Sequence, residues 1–464
     1  MIARSTNPQE YGVWFNVNDV LAYFTILAGI MPFWAMRFVA RNEKGAAKTS
    51  VLANLAISMV AIFVYLLLLP FITSILHVEA YIGVYLIVAA QIIELHLLHA
   101  LEANLRAKRP QTLGYGILIA ETFKVLLGYT LIFGKILSPL EGAAVSLTLA
   151  IAAQIIYYLK LHVEDLKQGV NWAYVKEWAK GSIANIYNVI GNQIAVFIFI
   201  MLFTYGGEAA RSNYGAAAQI ANIITYSSFL AFALYPKLLA EKNSSDITTS
   251  IKTVLMFAIP MTAGVLTVPE LYLTILKEEY KAAWPVLTVL AIDSLVITIS
   301  TFYGFVLYGY ERIDEEAKIP FKELVKSRLF ITFSLPYVHS AITLPLTYYV
   351  LTTYTQNQPT LPALAVAIIN SVARLVAFLI LYMIVRKMAK VTIPWKNIAK
   401  YVFTSVIMAF LLRFLHVFLN PSRVFQIIGL TAFAGVFYLA LLMVVDEDAR
   451  VLARLAWQEI AGKI

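Results

Sequence analysis

The chain has 464 residues, of which 60% are hydrophobic and 14% charged, with a formal net charge of +9 and no cysteine. A mean hydropathy of +0.75 excludes an ordinary water-soluble domain. The absence of cysteine excludes disulfides, thiol catalysis and a Cys-based metal site. Thirteen apolar stretches, each about long enough to cross a bilayer core of roughly 30 Å, follow one another closely. Because only helices and closed barrels satisfy their backbone groups in lipid, the pattern predicts an all-α polytopic membrane protein with about 13 transmembrane helices.

The predicted spans in chain order are 17–39, 49–74, 80–103, 112–134, 140–161, 181–205, 212–235, 249–271, 284–308, 327–352, 362–386, 400–419 and 424–445. We expect Gly29 and Pro32 to break the first span, since proline removes a backbone hydrogen bond. Segments 164–180 and 446–464 are predicted amphipathic helices on the cytoplasmic surface. The chain is predicted to form an N-terminal lobe (1–165), a C-terminal lobe (166–390), an extra helix pair (391–445) and a cytoplasmic tail (446–464).

Lysine and arginine predict the orientation, because cytoplasmic loops retain them. Of the 36 such residues, 27 lie in one set of alternate connections and the tail, and six lie on the opposite side. These six are Arg4, Lys135, Arg211, Lys277, Lys281 and Arg423. We therefore predict a cell-membrane protein whose C-terminus is cytoplasmic and whose N-terminus is outside. Basic loops facing anionic headgroups account for the net charge, so no nucleic-acid partner is expected.

A short sequence repeat marks the first and seventh spans. Tyr11-Gly12 leads into the first, and Tyr214-Gly215 leads into the seventh. Each span ends in a basic cytoplasmic turn. Repeated halves are common in transporters, where the substrate site lies between them.

Five segments resemble a known family. They are Pro8–Gly12 before a span with Arg37–Ala40 at its end, Tyr214–Ile220, Ala233–Leu238, and Leu307–Tyr310 at the end of the ninth span. Together with span order and loop lengths, they resemble the superfamily of multidrug, oligosaccharidyl-lipid and polysaccharide exporters. The best match is its polysaccharide-synthesis branch, the lipid-linked oligosaccharide flippases.

The resemblance implies two pseudo-repeated six-helix lobes and two peripheral helices, working by alternating access without a cofactor. It implies a polyprenyl- or dolichyl-phosphate-linked glycan as substrate, with membrane lipids and glycan-synthesis enzymes as further partners. The family has fourteen spans and cytoplasmic termini. Since thirteen spans are predicted here, we expect either that the family's first helix is missing or that the start codon is placed too late.

Charged groups within the first-half spans are candidates for coupling, because charges at bilayer depth are costly. Glu94 and His96 in the third span could couple proton movement to transport, or they could form a polar face packed inside the lobe. A metal site is the weaker alternative. Glu121 and Lys124 are spaced i, i+3 and can form an internal ion pair, or Lys124 can meet an anionic substrate.

Asp293 and Arg374 are the deepest opposite charges of the second half. They could form a structural pair. Arg374 is also the best candidate for an anion site, because guanidinium contacts phosphate through two hydrogen bonds and stays charged when buried. Arg37 lies at the cytoplasmic end of the first span. It is either one of the basic residues that orient the chain in the membrane or a ligand for a lipid headgroup.

Two spans carry polar residues on one face. Asn185, Asn188 and Asn192 repeat in the sixth span, and Gln219 and Asn222 repeat in the seventh. Interhelical hydrogen bonding would explain both stripes. The functional alternative is a wet cavity wall that binds sugar hydroxyls.

No catalytic constellation or nucleotide-binding loop is present in the sequence, so we expect a transporter rather than an enzyme. Two other functions remain open: a cation-coupled multidrug antiporter, which favours an acidic cavity, and a membrane-embedded glycosyltransferase or ligase. The latter enzymes usually carry acidic residues in long external loops, whereas the predicted external loops here are short.

The orientation can be tested by cysteine labelling of this cysteine-free chain. Asn42→Cys should resist an impermeant thiol reagent added outside intact cells, because the loop after the first span is predicted to be cytoplasmic. Thr353→Cys, in the predicted external loop 353–361, should react and serves as the positive control. Labelling of Asn42→Cys from outside would contradict the orientation.

Overall fold

The computed structural model describes residues 1–231, 244–310, 328–354, 360–389 and 391–461. Throughout this part of the chain the structure is helical, with no strand. The α-helices, numbered α1 to α20 in chain order, are Ile2–Ser5, Pro8–Phe24, Ile30–Ala40, Ala46–Ile75, Ile82–Lys108, Thr112–Gly128, Pro139–Leu161, Val163–Leu166, Ala173–Gly181, Ile183–Ala195, Phe197–Gly206, Glu208–Thr225, Ser244–Thr267, Pro269–Thr274, Trp284–Tyr310, Arg328–Thr353, Thr360–Arg386, Trp395–Leu419, Val424–Val445 and Glu447–Ala461. The all-α polytopic fold class is confirmed.

Ten of the described helices are long and apolar enough to cross a membrane. Three of the thirteen predicted spans are not among them. The first is broken, and the seventh corresponds to α12 followed by a 3-10 turn over Tyr226–Ala231. The tenth, α16, is 26 residues long, contains Pro336 and Pro345, and is rich in hydroxyl side chains. Residues 233–238, part of the family resemblance, lie outside the described residues.

The chain packs into two units. Unit 1 contains residues 1–212 and 316–362, and unit 2 contains residues 213–315 and 363–464. The helices α10, α11 and α16, assigned by chain order to the C-terminal lobe, group with unit 1. The two units are defined by contacts between helices, whereas the predicted lobes are defined by order in the sequence, so the two divisions differ for these helices. The predicted lobe boundaries stay a prediction.

The first predicted span begins early and breaks in the middle. Asn7 caps α2 through a capping box with Glu10, and Pro8 occupies the first turn, where its missing N–H is harmless. The helix ends at Phe24, and α3 begins at Ile30 after Gly29. The buried Asn54 side chain donates to the Ala28 carbonyl at 2.9 Å, supplying a partner that an unbroken helix would have provided.

The core of unit 1 joins α2, α4, α5 and α7 around buried apolar side chains. Two buried tyrosines connect these helices by hydrogen bonds. Tyr65 donates to the Tyr85 carbonyl at 2.9 Å, and Tyr85 donates to Asn16 Oδ1 at 2.5 Å. Because both hydroxyls are satisfied, the rings contribute apolar contact without an unpaired polar group.

The connection after α7 is fixed to the start of α4 by close backbone contact. Gly45 has φ +77°, and a Cβ there would lie 2.1 Å from the Gly169 carbonyl oxygen, so both conformation and space favour glycine. Gln168 accepts a hydrogen bond from the Gly45 backbone N–H at 2.7 Å. The Asn171 N–H donates to Thr49 Oγ1 at 3.0 Å. The short helices α8 and α9 are thereby held on unit 1.

In unit 2, α13 packs against α15 and α18, and α18 pairs with α19. The peripheral pair is tied to α13 because Tyr438 donates to the Met256 carbonyl at 2.7 Å. At the start of α20, Lys252 pairs with Asp448 at 2.8 Å, and its hydrogen bond holds the pKa of Asp448 below the usual 3.8. The buried Asp446 accepts from Asn397 at 3.0 Å. Polar contacts therefore fix where the tail leaves the helix pair.

A glycine substitution can test the packing of α2. A Cβ on Gly12 would lie 2.0 Å from the Glu208 carbonyl oxygen, so Gly12→Ala must separate two backbones. We expect a loss of about 1–3 kcal/mol of stability, as for overpacking elsewhere. Gly114→Ala is the control, since a Cβ there would meet no heavy atom within 4 Å and helical alanine is favoured by about 0.5–1 kcal/mol. The measurement is the apparent melting temperature in detergent; equal effects of the two changes would contradict the close approach.

Candidate functional site

Arg374 and Asp293 form an ion pair inside unit 2, which confirms that these two deepest charges pair. Arg374 lies on α17, twelve residues before its end, and its Nη1 contacts Asp293 Oδ2 on α15. The Asp293 side chain is 2% exposed, whereas that of Arg374 is 31% exposed. The other carboxylate oxygen, Asp293 Oδ1, is buried without a hydrogen-bond partner in the described part of the chain. The carboxylate of the pair is therefore buried, whereas the guanidinium is partly exposed.

A second polar contact lies one helical turn away on α17. Asn370 donates to the Tyr214 hydroxyl at 3.3 Å, and both side chains are buried. Residues 370 and 374 share one face of the helix because they are spaced i, i+4. That face therefore contacts α12 through Tyr214 and α15 through Asp293.

Glu121 and Lys124 also pair, but not in the interior. Lys124 Nζ lies 2.5 Å from Glu121 Oε1 on α6, and the side chains are 40% and 56% exposed, respectively. The i, i+3 pair expected from the sequence is thus formed, with both side chains partly exposed at the surface of unit 1. Gly116 on α6 lies against Tyr158 of α7, and the carboxylate and ammonium groups stay outside that contact. The ammonium is accessible to an anion.

Glu94 and His96 occupy different environments on α5. His96 is fully buried, and its Nδ1 contacts the Ile92 carbonyl at 2.7 Å. Its other ring nitrogen and the Glu94 Oε2 atom are buried without a hydrogen-bond partner among the described residues. Asn54 contacts the His96 carbonyl at 2.9 Å as well as Ala28. His96 is therefore connected through Asn54 to the break between α2 and α3.

The polar stripe of α10 faces away from the packing contact of that helix. Tyr187 stacks on Phe330 and Tyr337 of α16, and a Cβ on Gly191 would meet the Tyr337 ring at 2.5 Å. The stripe is partly or fully exposed: Asn185 and Asn188 are half-buried and Asn192 is exposed. Asn192 donates to the Asn188 carbonyl at 2.9 Å.

The stripe of α12 in unit 2 is exposed. Both Gln219 and Asn222 are open, while the neighbouring Ile220 and Ile224 are buried. This alternation agrees with the helical spacing read from the sequence. Both stripes present amide groups that are accessible to a polar ligand.

Arg37 lies over aromatic rings near the end of α3. Its guanidinium carbon is 4.9 Å from the Phe33 ring centroid and 4.7 Å from that of Trp34. Trp34 packs with the buried Trp178 of α9. This cation–π arrangement holds the guanidinium against an apolar surface instead of leaving it as a freely moving loop charge.

Sequence reasoning missed an enclosed ion pair of unit 1. Arg211, which the sequence analysis counted among the basic residues of the external side, lies within α12 and is paired with Asp19. Arg211 donates to both oxygens of Asp19, with Nε–Oδ2 at 2.7 Å and Nη2–Oδ1 at 2.9 Å. Its guanidinium carbon lies 4.7 Å from the Phe15 centroid and 4.9 Å from the Phe199 centroid, and the residue is 5% exposed. The available signal was Asp19, an acidic residue in an apolar segment with no sequence-adjacent partner.

Metal binding finds no support in the side chains. Among the residues that the structure describes, no group of three or more His, Asp or Glu side chains could hold a metal ion. The polar groups above are instead pairs and stripes, suited to binding charged or hydroxylated molecules.

No protein-family model and no curated protein matches this chain. Among solved structures, the lipid II flippase MurJ in an inward closed conformation aligns with a TM-score of 0.61 at 14% identity, covering 94% of this chain and 98% of that one. An inward-facing multidrug resistance MATE family transporter of the MOP superfamily aligns with a TM-score of 0.63 at 14% identity, covering 83% and 93%. The chain shares the fold of these two structures. The fold that the resemblance in the sequence implied is thereby confirmed.

The enclosed pair of unit 1 can be tested through stability. Asp19→Asn leaves the Arg211 guanidinium buried beside a neutral group, and breaking a buried pair costs about 3–5 kcal/mol. Glu164→Gln removes one partner of the exposed Glu164–Lys167 pair and should cost at most about 1 kcal/mol. Unfolding in detergent measures both. Similar small losses of stability in the two variants would show that the Asp19–Arg211 pair is not buried as described.

Proposed function

We propose that this protein moves a lipid-phosphate-linked oligosaccharide across the cytoplasmic membrane by alternating access. The observation that carries the proposal is Arg374, a guanidinium near the middle of a 27-residue membrane helix whose side chain is almost one-third exposed. A lone guanidinium at this depth would be costly. Asp293 offsets that cost in the absence of cargo, and the exposed part of Arg374 stays open to an anion.

Arg374 suits a phosphate for chemical reasons. Guanidinium offers a fork of N–H donors that matches two phosphate oxygens and keeps its charge at any physiological pH. Asp293 then competes with the phosphate for the same cation, so binding stays weak enough to permit release. Lys124 on unit 1 has the same kind of arrangement, an exposed cation with a competing carboxylate from Glu121, and is proposed as a separate ligand for the lipid phosphate.

The sugars need hydroxyl-binding groups rather than charges. The exposed amides of Asn192, Gln219 and Asn222 supply donors and acceptors of that kind, and the half-buried Asn185 and Asn188 extend the first set. At the cytoplasmic end, Arg37 would meet the incoming lipid phosphate, held in position by the rings beneath it. Glu94 and His96 would couple proton movement to the cycle through Asn54.

An apolar cavity in unit 2 supports a lipid cargo. It encloses about 310 Å³ between α12, α13 and the peripheral pair. Its lining includes Phe257, Met261, Met408 and Leu439. The Tyr272 hydroxyl in the wall accepts a hydrogen bond from Thr431 at 3.2 Å. Such a surface suits an isoprenoid or acyl chain, because its burial is favoured by about 25 cal/mol per Å².

The alternative is a cation-coupled multidrug antiporter. The MATE transporter and the flippase align with nearly equal TM-scores, 0.63 and 0.61. Buried Asp293 and Asp19 would then bind the coupling cation or a cationic drug, and Arg374 would serve only as a counter-ion. The flippase alignment extends over 94% of this chain against 83% for the MATE protein, which supports the lipid-linked cargo.

The remaining parts of the proposal follow from the same cargo. The protein would act in the cell membrane with a cytoplasmic C-terminus, alongside enzymes that assemble the glycan on a polyprenyl or dolichyl phosphate. A membrane-embedded glycosyltransferase or ligase finds no support, since both structural neighbours above are described as a flippase and a transporter.

Flipping of a fluorescent lipid-linked oligosaccharide in proteoliposomes tests this function. Arg374→Gln should lower the rate about 10-fold or more, because a charge-assisted hydrogen bond is worth about 1.5–3 kcal/mol. Lys124→Gln should lower it in the same direction. Arg386→Gln is the matched control, an identical change at the exposed end of the same helix.

A parallel assay of ethidium efflux separates the alternatives. In an antiporter, Asp293→Asn would abolish efflux while Arg374→Gln spared it. Flipping at the parent rate by both Arg374→Gln and Lys124→Gln would make these residues structural and contradict the proposed site.

A further inference from the structure

Four exposed tyrosines lie together at one end of unit 1. Tyr205 is in the last turn of α11, and Tyr348 and Tyr349 are near the end of α16, with Tyr354 directly after it. They are 48% to 64% exposed. By the predicted topology, both helices end on the external face. We refer to these residues as the tyrosine cluster.

The rings of the tyrosine cluster meet in two perpendicular pairs. The centroids of Tyr205 and Tyr348 lie 5.4 Å apart at an interplanar angle of 84°. Those of Tyr349 and Tyr354 lie 5.7 Å apart at 74°, and their hydroxyls are 3.3 Å apart. In an edge-to-face pair one ring face remains uncovered. In each pair, the two rings are therefore nearly perpendicular and one ring face is available to a ligand.

The contact between α10 and α16 differs from that between α11 and α16. Tyr187 is stacked between Phe330 and Tyr337, at 5.1 Å and 4.6 Å. Its hydroxyl contacts Ser334, and Tyr337 donates to the Tyr187 carbonyl at 2.7 Å. These three rings are occupied by the fold. The four rings of the tyrosine cluster expose faces that the packing of α11 and α16 does not use.

The chain segment that carries Tyr348, Tyr349 and Tyr354 contains no charged residue. Between Arg328 and Arg374 the sequence contains no Asp, Glu, Lys or Arg. Pro362 fixes the returning chain beside α11, because a Cβ on Gly206 would meet its side chain at 2.9 Å. Three of the four tyrosines thus lie on a segment that offers no lysine or arginine to a phosphate. The chemistry of the tyrosine cluster is that of tyrosine alone: flat apolar faces with hydroxyls at their edges.

We propose that the tyrosine cluster is an external binding surface for neutral pyranose rings, which receives the glycan as it leaves the membrane. One face of a pyranose is made of C–H bonds and packs on an aromatic ring, while its hydroxyls reach the tyrosine oxygens. Tyrosine gives this contact area with little loss of side-chain freedom. The inference rests on the proposed glycan cargo, and it adds a site separate from Arg374.

A direct binding experiment tests the surface without relying on transport. Purified protein in nanodiscs is probed by saturation-transfer NMR with chitotetraose, maltotetraose and mannotetraose. We expect a saturation-transfer signal for at least one of these sugars. The signal should fall fivefold or more in the double variant Tyr348→Leu with Tyr349→Leu, and it should stay within twofold in the double variant Tyr348→Phe with Tyr349→Phe. Tyr115→Leu is the control, since Tyr115 is 61% exposed on the same unit but lies near the start of α6.

The alternative occupant is the lipid interface, where tyrosines act as anchors. Transfer that is absent for all three sugars, or unchanged in the double Leu variant, would overturn the glycan surface and leave the anchor role. Melting temperatures of the variants within about 3 °C of the parent would exclude misfolding.

Flipping assays then separate this inference from the proposed function. The double Leu variant should flip a lipid-linked oligosaccharide at least fivefold more slowly than the parent. Its rate for the same lipid phosphate carrying a single sugar should equal the parent rate. Equal slowing of both would contradict a glycan surface. If the parent protein flips neither lipid, the proposed function is wrong. The NMR binding result would still show whether the tyrosine cluster binds sugars.

Discussion

Two arginine side chains in the described part of the chain each contact a carboxylate from a distant part of the sequence, and this pairing organises the polar interior. Water cannot solvate a charge at membrane depth, so an unpaired charge there costs several kcal/mol. The two arginine pairs meet the requirement differently. Arg211 uses both oxygens of Asp19 and lies between two aromatic rings, which leaves it no open side. Arg374 contacts one carboxylate oxygen and keeps almost a third of its side chain exposed.

That difference separates a structural pair from a candidate binding group. A closed, bidentate pair stabilises one arrangement of α2 and the start of α12, and cargo would have to dismantle it. An open pair leaves part of its guanidinium accessible, so an anion could bind Arg374 beside Asp293. The same reasoning explains why one pair can serve opposite cargoes. An anion would compete with Asp293, whereas a cation would compete with Arg374, and the sign of the cargo decides which partner binds it.

Close backbone approaches and helix breaks supply the precision that these pairs need. Gly12 lets α2 contact the Glu208 backbone, close to the Asp19–Arg211 pair. Asn54 satisfies the Ala28 carbonyl at the break between α2 and α3, where a helical hydrogen bond is missing. Because Asn54 also contacts the His96 carbonyl, a change at His96 can reach the break through one side chain. The break is thus held by a specific contact rather than by flexibility alone.

Hydropathy and charge alternation determined the membrane class, the all-α fold and most span positions, because these depend on local composition and on the length of a bilayer crossing. Spacing along one helix also predicted the Glu121–Lys124 pair and the polar faces of α10 and α12. Tertiary structure alone decided which charges are enclosed. Arg211 looked like a loop charge, yet its partner lies 192 residues earlier in the chain, a distance that no local pattern encodes. Packing likewise grouped α10, α11 and α16 with unit 1, since side-chain contacts rather than chain order determine which helices share a core.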